Sequence, residues 1–367
     1  MLRAGFKIKI MKNFSELITY GLLAFTLSIC IIPLMKTAAE KCRLVDIPNA
    51  RKVHQKAIPL IGGLAIGAIV ALLAGLSSMQ DLKEILPIII TSYVMLVVGT
   101  MDDKTDIKAI YKLGIQICVS IIIAFSGIRI TSLYGIFGIY DINIYAQYLI
   151  TILVMVAAVN AFNLIDGIDG LAGSVAGSGF ILLLAITIIE ENYGLMKLVM
   201  LFIGGIAAFL RYNFSKENKV FLGNSGSLFL GYFLVSIGIY IAKFDNIVSG
   251  FPYGLFFLLF VFTIPMIDSV RVYADRILRG KSPFKADKSH IHHYLLQLGI
   301  SHKTITVLFI VMNVLLFVIQ YLCLEDFSLY TLLISLIAFA GIFKCIKILN
   351  FFILWKTKVK ELENKTQ

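Results

Sequence analysis

The chain has 367 residues, 59% of them hydrophobic and only 15% charged, with a mean hydropathy of +0.90 and a net charge of +11. A soluble domain is nearer a quarter charged, so lipid rather than water is the expected solvent for most of this chain, and one helical bundle in a bilayer fits its length. The basic residues fall between apolar runs, which argues against nucleic acid and for lipid headgroups and phosphorylated substrates as partners.

A membrane-crossing helix needs about 20 mostly apolar residues. Eleven runs serve, several of them short: 14–35, 58–76, 86–101, 113–126, 147–163, 174–189, 198–210, 220–242, 252–270, 304–321 and 329–343. The expected fold is an all-α polytopic integral membrane protein of about eleven transmembrane helices. Residues 1–13 form an N-terminal extension, 14–343 the transmembrane domain and 344–367 a basic tail. In the tail, Phe351–Trp355 followed by Lys356, Lys358 and Lys360 suits an interfacial helix or a solvated end. The run 14–35 is followed by Lys36, Lys41 and Arg43, which reads as an anchored span rather than a cleaved signal. Gly and Ser early in 220–242 suggest a break there.

Eleven spans divide the remaining segments into two sets. One set comprises 36–57, 101–112, 163–173, 211–219, 271–303 and the tail, and holds 25 of the 33 Lys and Arg residues. The positive-inside rule makes this set cytoplasmic and puts the N-terminus outside. Arg3, Lys7, Lys9 and Lys12 run against the rule, and a start at Met11 would remove all but Lys12. Cys30, Cys42, Cys118, Cys323 and Cys345 have neither metal-ligand nor disulfide spacing. They read as small apolar residues in helices.

Five polar clusters lie in, or at the edge of, the cytoplasmic set. A transporter would more often bury ionisable groups at mid-membrane. Loops gathered at one face suggest chemistry on a water-soluble substrate at the membrane surface. The first cluster contains Asp46, Pro48, Asn49, Arg51, Lys52 and His54, then Gly62-Gly63. Its basic side chains could hold phosphate, and the glycines could bring backbone N–H groups to an anion. The second is Asp102-Asp103-Lys104-Thr105-Asp106. Carboxylates this close repel unless a cation lies between them, and Mg²⁺ is held by one or two carboxylates plus phosphates. Adjacent helical residues point about 100° apart, so Asp102 and Asp103 would share a site only at a frayed helix end.

The third cluster places Asn160, Asn163, Asp166 and Asp169 at every third position, with Gly167 and Gly170 between and after. On a helix Asn160 and Asp169 drift about 180° apart. A 3₁₀ turn, or a helix ending near Gly167, would realign them. No Lys or Arg in this loop neutralises the two carboxylates, so their partner comes from another loop, a metal or a substrate. The fourth is Gly223-Asn224-Ser225-Gly226-Ser227, which either brings backbone to a phosphate or packs helices closely. The fifth is the loop 271–303, with Arg271, Arg276, Arg279, Lys281, Lys285, Lys288 and then His290-Ile-His292-His293. Such histidines bind zinc, or serve as charged donors beside a diphosphate, or are structural.

Together and in this order, DIPNARKVH, DDKTD, NAFNLIDGIDGLAGS, FLGNSGS and HIHHYLLQLG resemble the motifs of the polyprenyl-phosphate N-acetylhexosamine-1-phosphate transferase family over about residues 44–303. The HIHH form is similar to the WecA/TagO branch rather than the related MraY branch, which has three successive histidines. The resemblance implies transfer of N-acetylhexosamine-1-phosphate, most readily GlcNAc-1-phosphate, from UDP-HexNAc to undecaprenyl phosphate. The products are undecaprenyl-diphospho-HexNAc and UMP, and Mg²⁺ or Mn²⁺ is the cofactor. It implies the inner (cytoplasmic) membrane of a bacterium and the first step of a surface polysaccharide. By the same resemblance Asp102, Asp103, Asp166 and Asp169 are catalytic. Arg51, Lys52, His54, Asn160, Asn163, Gly223, His290, His292 and His293 bind substrate, and Asp102, Asp103 and Asn224 hold the metal.

One position departs from the family pattern. The fourth motif is usually Gly-Asp-x-Gly-Ser, with Asp as a metal ligand, and here that position is Asn224. Three readings are open: Asp102 and Asp103 carry the metal alone, the metal site is modified and slow, or the protein is a silent homologue that binds carrier lipid. A transporter is the alternative of another class, supported by span count alone.

Overall fold

The computed structural model describes residues 2–48, 56–75, 82–243, 252–282, 289–322, 336–337 and 339–349, with side chains described from residue 15. It is almost wholly helical. The helices are α1 (Leu2–Lys41), α2 (Gly62–Ala74), α3 (Leu86–Thr105), α4 (Ala109–Phe125), α5 (Ile144–Leu164), α6 (Leu171–Ile189), α7 (Tyr193–Asn213), α8 (Gly223–Ala242), α9 (Tyr253–Leu278), α10 (Ile291–Gln297) and α11 (His302–Leu322). Residues 339–349 are also helical.

Among the described residues, 8 helical stretches are long and apolar enough to cross a membrane; α2 and α4 are apolar but shorter. The chain is thus an all-α polytopic membrane protein. Most of the eleventh expected run, 329–343, begins outside the described residues. Large apolar side chains cover the outside of the bundle, such as Leu22 and Leu34 on α1, Leu149 and Leu153 on α5, and Val307 and Leu315 on α11. That surface would be costly in water and matches hydrocarbon. Cys30, Cys42, Cys118 and Cys345 are free and exposed.

α8 is the centre. It carries no charge, and from Gly223 to Ile241 all but Asn224 are buried. It packs against α2, α3, α5, α6 and α9. Small residues along it allow close approach where no hydrophobic driving force operates between helices. Deeper in, Phe202 packs on Phe180 and Phe233 with ring centroids 4.5 and 4.6 Å apart.

Short antiparallel strands β1 (Val45–Asp46) and β2 (Ile58–Pro59) precede α2. The chain then pairs Leu60 with Phe221, just before α8. Here the expectation for Gly62-Gly63 is corrected. Their N–H groups donate to the carbonyls of Phe221 and Leu222 at 2.9 and 3.0 Å, so they are not available to an anion. A Cβ on Gly63 would strike the Gly226 backbone, and one on Gly62 would lie 2.5 Å from Phe209. The glycines let α2 and α8 meet.

Other boundaries differ from expectation. α3 runs on past residue 101 to Thr105, and α8 is unbroken from Gly223. α9 reaches Leu278, so the expected loop from 271 begins as helix. Helix α1 starts at Leu2 and absorbs most of the extension 1–13. Arg51, Lys52, His54, Cys323 and the tail segment 351–355 lie outside the described residues.

Candidate active site

The C-terminal end of α3, the α5–α6 turn, the approach to α8, and α10 with the start of α11 surround a cavity of about 1260 Å³. Its wall carries Asp46, Asp102, Asp103, Asp106, Asp166 and Asp169 together with Lys104, Lys219, His293 and His302. All five sequence clusters therefore contribute, the first through Asp46.

Asp102 and Asp103 are not brought together by a frayed helix end. They sit in the last helical turn, which closes at Asp106 in a left-handed conformation (φ 52). Asp102 turns toward α4. Its oxygens accept from the Ile107 N–H at 2.9 Å and from Lys112 Nζ at 2.7 Å. Asp103 turns toward α8 and accepts from the N–H groups of Asn224 and Ser225 at 2.8 and 3.0 Å. It therefore caps the first turn of α8, whose dipole favours an anion there. Gly223 makes this possible: its φ is +76, and a Cβ would lie 2.6 Å from Asp103 Oδ2. Asp103 has no cation partner among the described residues.

α5 ends at Leu164, ahead of Gly167, and separates the third cluster. Asn160 faces α4, donating to Gln116 Oε1 at 2.6 Å, and does not line the cavity. Asn163 faces α8, donating to Asn224 Oδ1 at 2.9 Å and Ser227 Oγ at 2.7 Å. Asp166 and Asp169 lie in the turn and line the cavity. Asp169 pairs with Lys219 Nζ at 2.6 Å and His302 Nδ1 at 2.9 Å, so its partners come from other loops. Burial acts to raise the Asp169 pKa, but the hydrogen bonds and charges of His302 and Lys219 outweigh it and hold the carboxyl below the usual range. Asp166 behaves oppositely. Burial, then repulsion from Asp103 and Asp169, push it well above that range, and among the described residues no cation pairs with it.

The histidines form a row. His290 and His292 are parallel with centroids 5.8 Å apart, and His293 lies 4.2 Å from His292. Only His293 of the three lines the cavity. Burial, aided by the neighbouring histidines, pushes the His292 pKa down to about 3. That shift disfavours a charged His292, one of the three readings open for these histidines. Among the described residues no three of His, Cys, Asp or Glu converge to hold a metal.

Lys112, Gln116, Lys219, Asp268 and His302 were not singled out from sequence. Each is separated along the chain from the residue it serves and looks there like ordinary helix or loop polarity. The missing positive charge in the third cluster was the one signal pointing to such partners.

The family description "Glycosyl transferase family 4" matches residues 85–242, which include Asp102 through Asn224. A Bacillus subtilis protein named "Probable undecaprenyl-phosphate N-acetylglucosaminyl 1-phosphate transferase" is 31% identical over 306 residues, 82% of each chain. The undecaprenyl-phosphate alpha-N-acetylglucosaminyl 1-phosphate transferase of Pasteurella multocida is 32% identical over 275 residues, 73% of this chain and 76% of its own. The protein of that name from Escherichia coli K12 is 28% identical over 280 residues, 74% of each.

Proposed function

The chain belongs to glycosyl transferase family 4, with the undecaprenyl-phosphate N-acetylglucosaminyl 1-phosphate transferases, and from that premise we propose that it transfers N-acetylhexosamine-1-phosphate from UDP-HexNAc to undecaprenyl phosphate. The observation that carries this reading is the acid-lined cavity at one end of a membrane bundle, containing two carboxyl groups, Asp103 and Asp166, that no cation pairs with among the described residues. GlcNAc is the sugar favoured, from the relatives' names. The reaction joins a phosphate oxygen of the lipid to the β-phosphorus of the donor and breaks the bond to the α-phosphate. It yields undecaprenyl-diphospho-HexNAc and UMP.

Two anionic substrates cannot meet among carboxylates unaided. Asp103 and Asp166 would hold Mg²⁺ or Mn²⁺: they offer hard oxygens, and among the described residues no cation neutralises either. Two carboxylates completed by substrate phosphates and water are the usual Mg²⁺ arrangement. When bound, the ion would offset charge on the transferring phosphate. Asp102 is committed to Lys112, and Asn224 Oδ1 to Asn163, so these expected ligands are better read as supports. Lys104 and His293 would receive donor phosphates, while Lys219 and His302 keep Asp169 ionised and in place. The same reading makes the cavity face the cytoplasm of a bacterial inner membrane, with about eleven spanning helices.

Membranes containing the protein, given radiolabelled UDP-GlcNAc, are expected to put label into organic-extractable lipid when Mg²⁺ is present and not with EDTA. Parallel reactions with UDP-GalNAc identify the sugar. Lipid binding without label from any donor would instead favour the silent homologue.

A further inference from the structure

Asp268 lies on α9 with a side chain 2% exposed, far along the chain from the histidines it meets. His290 Nδ1 lies 2.9 Å from its Oδ2, and the Ile291 N–H donates to both oxygens at 3.2 and 3.3 Å. Arg271 donates to its Oδ1 through Nε at 3.1 Å and Nη2 at 2.6 Å, and Nη2 also reaches the Ser289 carbonyl at 2.6 Å. One carboxylate–guanidinium pair therefore fixes the backbone from Ser289 to Ile291, where α10 begins.

The bond to His290 also selects a tautomer. An ionised carboxylate only accepts, so Nδ1 carries the hydrogen and Nε2 is the nitrogen left over. That Nε2 is buried and has no hydrogen-bond partner among the described residues. From His290 the row of rings runs through His292 to His293 on the cavity wall. His292 is pressed against the catalytic turn, since a Cβ on Gly167 would lie 2.6 Å from its Nε2. The row is thus held at His290 by Asp268 and at His292 by the turn.

We propose that Asp268 is the positioning residue of the histidine cluster: it sets the ring and tautomer of His290 and thereby seats His292 and His293 against the α5–α6 turn, where the sugar phosphate is bound. This rests on the transferase reading. Asparagine at 268 would still accept from Arg271 and Ile291, but its amide N–H would confront the His290 N–H.

The test is a double-mutant cycle on the full chain in nanodiscs: wild type, Asp268→Asn, His290→Ala and the double variant. kcat and KM for UDP-GlcNAc are measured in each, with thermal melting alongside. Asp268→Asn is expected to lower kcat/KM roughly 10- to 100-fold, the range for groups that orient a working histidine, with melting unchanged. In the His290→Ala background it should cost less than about twofold more, because residues acting as one unit are not additive. Losses that multiply, or full kcat/KM in Asp268→Asn, would overturn the proposal. Should Asp268→Asn not fold, His290→Ala alone decides, since full activity there leaves Asp268 nothing to position. A wild-type chain without transfer defeats the transferase reading; UDP-GlcNAc binding by calorimetry across the same four proteins then decides the positioning role, and absence of wild-type binding overturns both.

Discussion

Asp166 and Asp169 are three residues apart in one turn, yet their surroundings drive them in opposite directions. Lys219 and His302 reach Asp169, and nothing among the described residues neutralises Asp166. The folded pKa of Asp169 is depressed, so its pairing stabilises the fold above the unfolded carboxyl value of about 4. That contribution is lost as pH falls through the lower folded value. Lys219→Met is expected to cost about 1–2 kcal/mol at pH 7, and its melting temperature should converge on wild type as pH falls through the folded value of Asp169. Equal melting at pH 7 would contradict the pairing. Asn224 is the other decisive residue. An aspartate there can still accept from Asn163, and it adds a charge beside Asp103. Asn224→Asp is expected to leave turnover unchanged or raise it, with half-saturation at lower Mg²⁺; lost turnover at matched expression would count against this. At this scale the sequence exposed the acids and amides because they cluster. Their partners stayed hidden because each is a lone Lys, Gln or His outside the cluster it serves, and only folding reveals which acid or amide it meets.

Among elements, the contact of α2, α3 and α8 shapes the site. Asp103 of α3 caps α8, Gly223 admits its carboxylate, and Gly63 lets α2 touch the same turn. Sequence marked these glycines as functional because they permit close approach, but it could not say to what. For Gly223 the neighbour is the Asp103 carboxylate; for Gly62 and Gly63 it is protein packing. Gly63→Ala should therefore destabilise the protein by about 1–3 kcal/mol, as overpacking does. An unchanged melting temperature with a raised KM for UDP-GlcNAc would restore the anion-cradle reading. The helix ends were the least legible feature: α3 outlasts its apolar run because Asp102 is paired with Lys112 and the Ile107 N–H, a compensation that hydropathy does not register.

For the whole molecule, composition and spacing were enough to indicate a polytopic bundle with its polar clusters on one face. The apolar outer surface and the nearly all-buried, uncharged α8 agree with that. The proposed orientation rests on the distribution of Lys and Arg. In a cysteine-free background, Lys104→Cys should react with an impermeant maleimide only from the cytoplasmic side, and Arg129→Cys only from outside. The reverse pattern would invert the topology and detach the cavity from cytoplasmic UDP-sugars.

The central claim is that this cavity exchanges UMP for a lipid phosphate under a divalent cation. The most direct measurement is UMP release by the purified protein in nanodiscs given undecaprenyl phosphate and UDP-GlcNAc, with Mg²⁺ and with EDTA. One UMP per lipid-linked sugar phosphate, abolished by EDTA and by Asp166→Asn, is the expected result. UMP release that continues in EDTA, or no release with any UDP-HexNAc while the lipid still binds, would contradict it.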